Sequence, residues 1–190
     1  MAEHGVPTDT FDVTKHDVTG LAVDSYQAVV FGSSLHFAEH DSRIAWCIRN
    51  YRSWLRDAPS AFFSVSLGII SKNHKDRREA AWLADEFLRQ EDFTPSRKAC
   101  FAGALRYSQY GSVTKHLMHW IAKKSGSDTD TDRDYDYTDW PAIEAFASDF
   151  ASLIHSCRQP DPSGPRFNPV DKPHRQYSAR LRQSVGELLD

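Results

Sequence analysis

The 190-residue chain is poor in sulfur, with three cysteines and two methionines, and it lacks any long uninterrupted apolar run. Cys47, Cys100 and Cys157 have no metal-ligand spacing, and too few thiols are present to build a disulfide framework. Cys47 and Cys100 fall inside apolar patterns, which predicts small buried thiols in a reducing compartment. The opening residues MAEHGVPTD hold no basic segment followed by an apolar stretch, so no secretory leader is read there. No segment is long and apolar enough to cross a bilayer, so the expectation is a cytoplasmic protein whose membrane contact, if it has one, is peripheral. A strong net charge is missing too. At -3 overall, bulk electrostatics does not favour a nucleic-acid partner.

What is present is enough apolar and aromatic material to close a core: 40% hydrophobic residues, with 11 Phe, 7 Tyr and 5 Trp. Charge is unevenly placed, basic at Lys72 to Arg78 and Lys115 to Lys124, acidic at Asp128 to Asp139. Thr8 to Val13 alternates mildly and suggests an edge strand. Tyr26 to Phe31 is a continuous, β-branched run of the kind covered on both faces, ending in Gly32-Ser33-Ser34. A helix from Ser42 places Ile44, Cys47, Ile48, Tyr51 and Leu55 on one face and closes at Ala58-Pro59. Ala61 to Val65 reads as the next strand. Beyond the polar run SKNHKDRRE, a second helix lines up Ala80, Leu83, Ala84, Phe87 and Leu88. Lys98 to Ala104 is a third apolar strand, whose small residues Ala102, Gly103 and Ala104 permit close approach to the backbone.

Val113 to Lys124 forms a further helix, and a last one begins at Asp139, an N-cap, with Pro141 in its first turn and Ile143, Phe146, Ala147, Phe150, Leu153 and Ile154 on its apolar side. After His155 the periodicity ends. Gln159 to Pro173 carries five prolines, so residues 156–190 are read as a Pro-rich linker with an accessory or disordered tail, and residues 1–155 as one domain. Alternating strand and helix define an α/β fold with a mostly parallel sheet, in which ligands gather beyond the carboxyl ends of the strands. Those ends here are GSS, SVSLG and GALRY, rich in small and hydroxyl-bearing residues.

Five stretches carry a resemblance: VVFGSSLHF (Val29 to Phe37), FFSVSL (Phe62 to Leu67), AGALRYSQY (Ala102 to Tyr110), SGSDTDT (Ser125 to Thr131) and YTDW (Tyr137 to Trp140). In order and spacing they resemble the flavodoxin-like, quinone-linked protoporphyrinogen dehydrogenases, over roughly Thr8 to His155. The resemblance implies a flavodoxin-like three-layer α/β sandwich. It also implies a first buried strand and a Ser/Thr/Gly-rich phosphate loop that the sequence does not show, so the domain is expected to be N-terminally incomplete. On the same ground TDTFDV would be the family's second strand.

The resemblance further implies flavin mononucleotide (FMN) as cofactor, with its ring between Ser33, Ser34, Leu35 and His36 on one side and Gly103, Ala104, Leu105 and Tyr107 on the other, over a floor of Ser64, Ser66 and Leu67. It implies protoporphyrinogen IX as substrate, menaquinone or another quinone as acceptor, and a place in haem biosynthesis. Arg106 is the expected partner of a substrate propionate, since a planar guanidinium binds a carboxylate through two hydrogen bonds. Lys72, Lys75, Arg77 and Arg78 are read either as further carboxylate contacts or as a solvated face. No catalytic nucleophile and no metal site are expected, because the flavin supplies the redox chemistry. His36, His40 and His74 lack ligand spacing, and the acidic run lacks the glycine and terminal glutamate of a calcium loop. Val113, Leu117, Met118, Trp120 and Ile121, flanked by Lys115, Lys123 and Lys124, suit a membrane surface or a sheet-packing face equally. Two other functions stay open: a flavodoxin-like electron carrier, and a non-catalytic protein without FMN.

Overall fold

A computed structural model describes residues 1–105 and 135–158, all within one compact unit, Met1–Arg158. The expectations for residues 106–134, including Arg106, Tyr107 and the Val113 to Lys124 helix, and for the 159–190 tail lie outside the described residues.

Three parallel strands form the central sheet in the order β1-β2-β3: β1 at Val29–Ser34, β2 at Ser60–Val65 and β3 at Arg97–Phe101. The register sets Phe31 beside Phe62 and Ser33 beside Ser64, and Ser64 in turn beside Cys100. Among the described residues β1 pairs only with β2, so its other edge carries no strand.

Side-chain alternation sends successive residues of β2 into two cores. Phe62, fully buried, joins Phe31, Ile44, Cys47, Ile48, Leu55, Ala84 and Leu88 under helices α1 (Ser42–Asn50), α2 (Arg52–Leu55) and α3 (His74–Gln90). Ala61, equally buried, packs on the other face against Phe150 and Ile154 of α4 (Trp140–Arg158), with Met1, Val6, Ala28 and Val30 alongside. Helices cover both faces of a parallel sheet, which is the expected three-layer α/β sandwich. A short antiparallel pair, β4 (Ala104–Leu105) with β5 (Tyr135–Asp136), extends the carboxyl side beyond β3.

Several sequence expectations shift. Thr8 to Val13 is not a strand: Asp12 folds the chain into a turn, its carboxylate accepting from the Thr14 N–H and hydroxyl at 2.9 and 2.7 Å. Such a side-chain-to-backbone bond competes directly with a strand ladder. The first strand starts at Val29 rather than Tyr26 and keeps Gly32 to Ser34 inside it, because β2 is long enough to pair with all of them. The helix from Ser42 breaks at Tyr51 (φ -100°, ψ 14°) before the α2 turn. Helix α3 begins within the polar run, at His74, because Asn73 caps it by accepting from the Lys75 N–H at 2.9 Å. The third strand stops at Phe101 and β4 is a separate piece. Tyr135 and Asp136, within the acidic run, form the short strand β5. Asp139 does cap the last helix, accepting from the Ala142 N–H at 3.0 Å.

Candidate functional site

The carboxyl ends of the three strands are stitched to one another. The Leu35 N–H donates to the Val65 carbonyl at 2.9 Å, and the Ser66 N–H to the Phe101 carbonyl at 2.9 Å. These bonds carry the parallel ladder one residue past each strand and bring Leu35 and Ser66 to the same rim. The loop after β1 then turns back on itself. His36 and Glu39 exchange N–H···O bonds of 2.9 and 3.0 Å, and the two residues between them take left-handed backbone, Phe37 at φ 51° and Ala38 at φ 65°. That is the mirror-image turn that glycine usually fills. It leaves Phe37 93% exposed.

The sequence-predicted residues divide into two groups. Ser34 and His36 face solvent and hold each other, Ser34 Oγ lying 2.8 Å from His36 Nε2. Leu35, Ser66, Leu67 and Gly103 are half-buried along the rim, and Ala104 is exposed. Leu105 enters β4 through its backbone. Ser66 turns its hydroxyl to the Gly68 N–H at 3.1 Å, closing the helical turn Leu67–Ile70. Gly103 sits so close to β2 that a Cβ there would lie 2.7 Å from Val65 Cγ1, so the bulky group approaching its backbone is Val65 of the protein itself.

Ser33 and Ser64 lie elsewhere: both are buried, on the face that carries Phe31 and Phe62, and so point under α1 and α3. Ser33 Oγ accepts from the Asp41 N–H at 3.2 Å, while Ser64 Oγ has no hydrogen-bond partner among the described residues. A further residue on this face went unassigned as a site residue in the sequence. His40 is half-buried with both ring nitrogens buried and without a side-chain hydrogen-bond partner among the described residues. Its ring stands edge-on to Phe62 at 5.6 Å between centroids and tilts onto Phe87 at 4.9 Å. Burial pushes its pKa below the ordinary 6.5, with the Ser34 backbone opposing. Only the apolar surroundings, invisible in the spacing of histidines, single it out.

At this rim a hydroxyl, backbone groups and small residues gather from adjacent strand ends, which is the chemistry a flat polar-edged ring such as a flavin's calls for. The described residues do not fit its phosphate. The helix N-termini at this edge are already occupied: Asp41 caps α1 with a carboxylate, accepting from the Arg43 N–H at 2.9 Å, Asn73 caps α3 with Ser71 and Asp76 hydrogen-bonded beside it, and Asp139 caps α4. A capping carboxylate repels a phosphate and uses the amide a phosphate would need. Cys47 and Cys100 are free thiols whose pKa values burial raises, and Cys157 is exposed. No three-residue metal cluster occurs among the described residues. An open concavity lined by Asp24, Gln27, Trp54 and Asp57 lies at the amino end of β2, the opposite edge from these loops.

A parallel sheet covered by helices on both faces, with polar loops gathered at its carboxyl edge, is the flavodoxin-like class. The flavodoxin domain model matches residues 2–132. The chain is 33% identical over 171 residues to protoporphyrinogen IX dehydrogenase [quinone] of Leishmania major, covering 90% of this chain and 71% of that one. It is 32% identical over 153 residues to the protein of the same name from Escherichia coli K12, covering 80% of this chain and 83% of that one. The chain therefore belongs to the flavodoxin domain family, among the relatives of the quinone-dependent protoporphyrinogen IX dehydrogenases. No solved structure matches it. Among the described residues no helix is long and apolar enough to cross a membrane.

Proposed function

We propose that this chain is an FMN-dependent dehydrogenase that oxidises protoporphyrinogen IX to protoporphyrin IX in haem biosynthesis and delivers the electrons to menaquinone or another quinone. The relatives' names supply the reaction. The observation that supports it in this structure is the joined rim, where Leu35 bonded to Val65 and Ser66 bonded to Phe101 hold the loops of adjacent strands together at one edge. Going from porphyrinogen to porphyrin removes six hydrogens in three two-electron steps, and a bound flavin supplies the hydride acceptor for each.

In this reading Ser34, Leu35, His36, Ser66, Leu67, Gly103, Ala104, Leu105 and Tyr107 border the ring. Arg106 pairs with a propionate. Buried Ser33 acts from beneath, holding the loop through the Asp41 N–H, and buried Ser64 lies beneath the rim without touching the ring. The segment 113–124 meets the inner face of the membrane, where a lipid-soluble quinone is found. Because the capped helix ends supply no phosphate donors, FMN is held weakly by the residues described. That same observation favours the second reading, a flavodoxin-like protein without FMN.

Titration of the purified chain with FMN, followed by flavin fluorescence quenching, addresses the cofactor. An anaerobic assay of protoporphyrinogen with a quinone, read by porphyrin fluorescence, addresses the reaction. Saturable FMN binding with quinone-dependent porphyrin formation is expected. Absence of both at saturating FMN overturns the enzyme reading, while FMN binding without porphyrin turnover leaves an electron carrier. Cosedimentation with anionic vesicles, compared with a Trp120→Ser, Met118→Ser variant, tests the membrane contact. Equal sedimentation of the two proteins at low salt removes it.

A further inference from the structure

The turn after β1 is conformationally expensive. Two consecutive non-glycine residues, Phe37 and Ala38, hold left-handed backbone, and Phe37 gains no burial in return. Such a conformation persists only where its surroundings over-determine it. The reciprocal His36–Glu39 bonds close the turn from within. Its connection to the body of the protein runs through the next residue, His40, whose ring completes a cluster with Phe62 of β2 and Phe87 of α3, themselves stacked at 5.6 Å. Immediately after it, the Asp41 N–H donates to Ser33 Oγ and the Asp41 carboxylate caps α1. The turn is thus clasped to the sheet by the Leu35–Val65 bond at its start, and at its end by the Asp41–Ser33 bond and one imidazole seated among phenylalanines.

That seat accepts only the neutral ring. Both nitrogens are buried with no side-chain partner among the described residues, and only the Ser34 backbone offsets the desolvation, so a proton would place a poorly compensated cation in the core. The titratable groups on the surrounding elements do not relieve this. Cys47 of α1 and Cys100 of β3 are thiols that burial keeps neutral. Glu86 of α3 is bonded to Arg89, and Glu91, just past the end of α3, to Arg49. On the loop itself His36 is bonded to Ser34, Glu39 is exposed and Asp41 is paired with Arg43. None of these charges enters the balance at His40, which burial and the Ser34 backbone set between them.

We propose that His40 is a positioning residue: its neutral ring holds the Leu35–Glu39 turn, and with it Ser34 and His36, against the carboxyl edge, and its protonation releases them. The proposal rests on the flavin reading only in the use made of that turn, and its test needs no flavin. Hydrogen exchange of the Leu35, His36 and Glu39 amides is measured from pH 8 to pH 5, corrected for intrinsic rates, in the full chain and in His40→Phe. In the native chain the protection of these amides is expected to fall by up to about tenfold per pH unit below 6.5, while amides around Phe150 in α4 keep theirs. In His40→Phe, which fills the same seat with an apolar ring, protection of the turn is expected to be flat across that range. The same pH dependence in both proteins, or loss of α4 protection in step with the turn, overturns the proposal. Should His40→Phe fold poorly, the NMR titration of His40 in the native chain decides. A midpoint clearly below 6.5 supports the clasp, and one at or above 6.5 overturns it. A native chain that shows the pH-dependent release yet binds no FMN sinks the functional reading and leaves the clasp standing.

Discussion

The ring of Phe63 lies across Gly32 of the neighbouring strand, so closely that a Cβ on Gly32 would stand 2.2 Å from Phe63 Cζ. Phe63 in turn meets Phe101 and Phe146 at 5.9 and 6.4 Å between centroids, which locks its ring in that place. The missing side chain at Gly32 is therefore what lets β1 pair in register and α4 pack on the sheet.

Gly32→Ala is expected to destabilise the protein by roughly 1–3 kcal/mol, the usual cost of overpacking a closed core. The measurement is urea unfolding of the single variant and of the same change in a Phe63→Leu background. A smaller ring-free neighbour should absorb part of the cost, and an equal loss in both backgrounds would mean that strand propensity, not the Phe63 contact, sets it.

Asp41 joins three contacts: it caps α1 through the Arg43 N–H, binds the Arg43 guanidinium at 2.8 and 2.5 Å, and gives its own N–H to Ser33. The Arg43 side chain is the main cause that holds the Asp41 pKa at about 2, below the ordinary 3.8. A carboxylate with a depressed folded pKa contributes stability that is complete above 3.8 and is lost as the pH falls toward 2. Asp41→Ala is expected to cost about 1 kcal/mol at neutral pH and to flatten the loss of stability between pH 4 and pH 2. Thermal melts across that range check it, and an unchanged acid limb would show that other carboxylates govern it.

Glu91 is buried at 8% exposure and receives Arg49 through two nitrogens, Nε at 2.7 Å and Nη2 at 3.1 Å. Arg52 reaches the Glu91 carbonyl at 2.7 Å and Asp92 at 2.6 Å, so the end of α3 is tied to both α1 and α2. Glu91→Ala is expected to cost about 1–3 kcal/mol, and Arg49→Ala a similar amount because it leaves the buried carboxylate unpaired. A double-mutant cycle reads the coupling. A coupling near zero would reduce the pair to a surface contact.

Arg106→Ala is expected to lower porphyrinogen turnover by roughly tenfold to several hundredfold while leaving flavin retention in place, as loss of one propionate contact would. Parallel measurement of bound flavin and quinone-dependent turnover checks it. Equal losses in both would make Arg106 a structural or cofactor residue.

Much of the architecture was legible in the residues alone. Continuous apolar runs marked β2 and the first half of β1, the 3.6-residue spacing of Ile44, Cys47, Ile48 and Leu55 marked the buried side of α1 and α2, and Asp139 marked the start of the last helix. These signals are local, since strand and helix repeat at fixed intervals and caps act within a turn. Strand limits were less legible: Gly32 to Ser34 became strand because β2 was there to pair with them. Likewise His74 to Glu79 looked like a polar loop, yet its cap at Asn73 and a face resting on the sheet made it helix.

The candidate site divides in the same way. The strand pattern brought Ser33, Ser34, Ser64 and Ser66 to strand ends, because a parallel α/β order fixes which ends of the strands lie together, and the family resemblance added Leu35 and His36. Only the tertiary structure decided which of them face the rim. Ser33 and Ser64 carry the same residue type as Ser34 and Ser66 but alternate into the core, and whether a given face of a strand is covered depends on helices distant in sequence. His40 shows the same limit from the other side. Its neighbours Phe62 and Phe87 lie 22 and 47 positions away, so no local pattern marks it, and burial by those rings is what gives its proton a structural consequence.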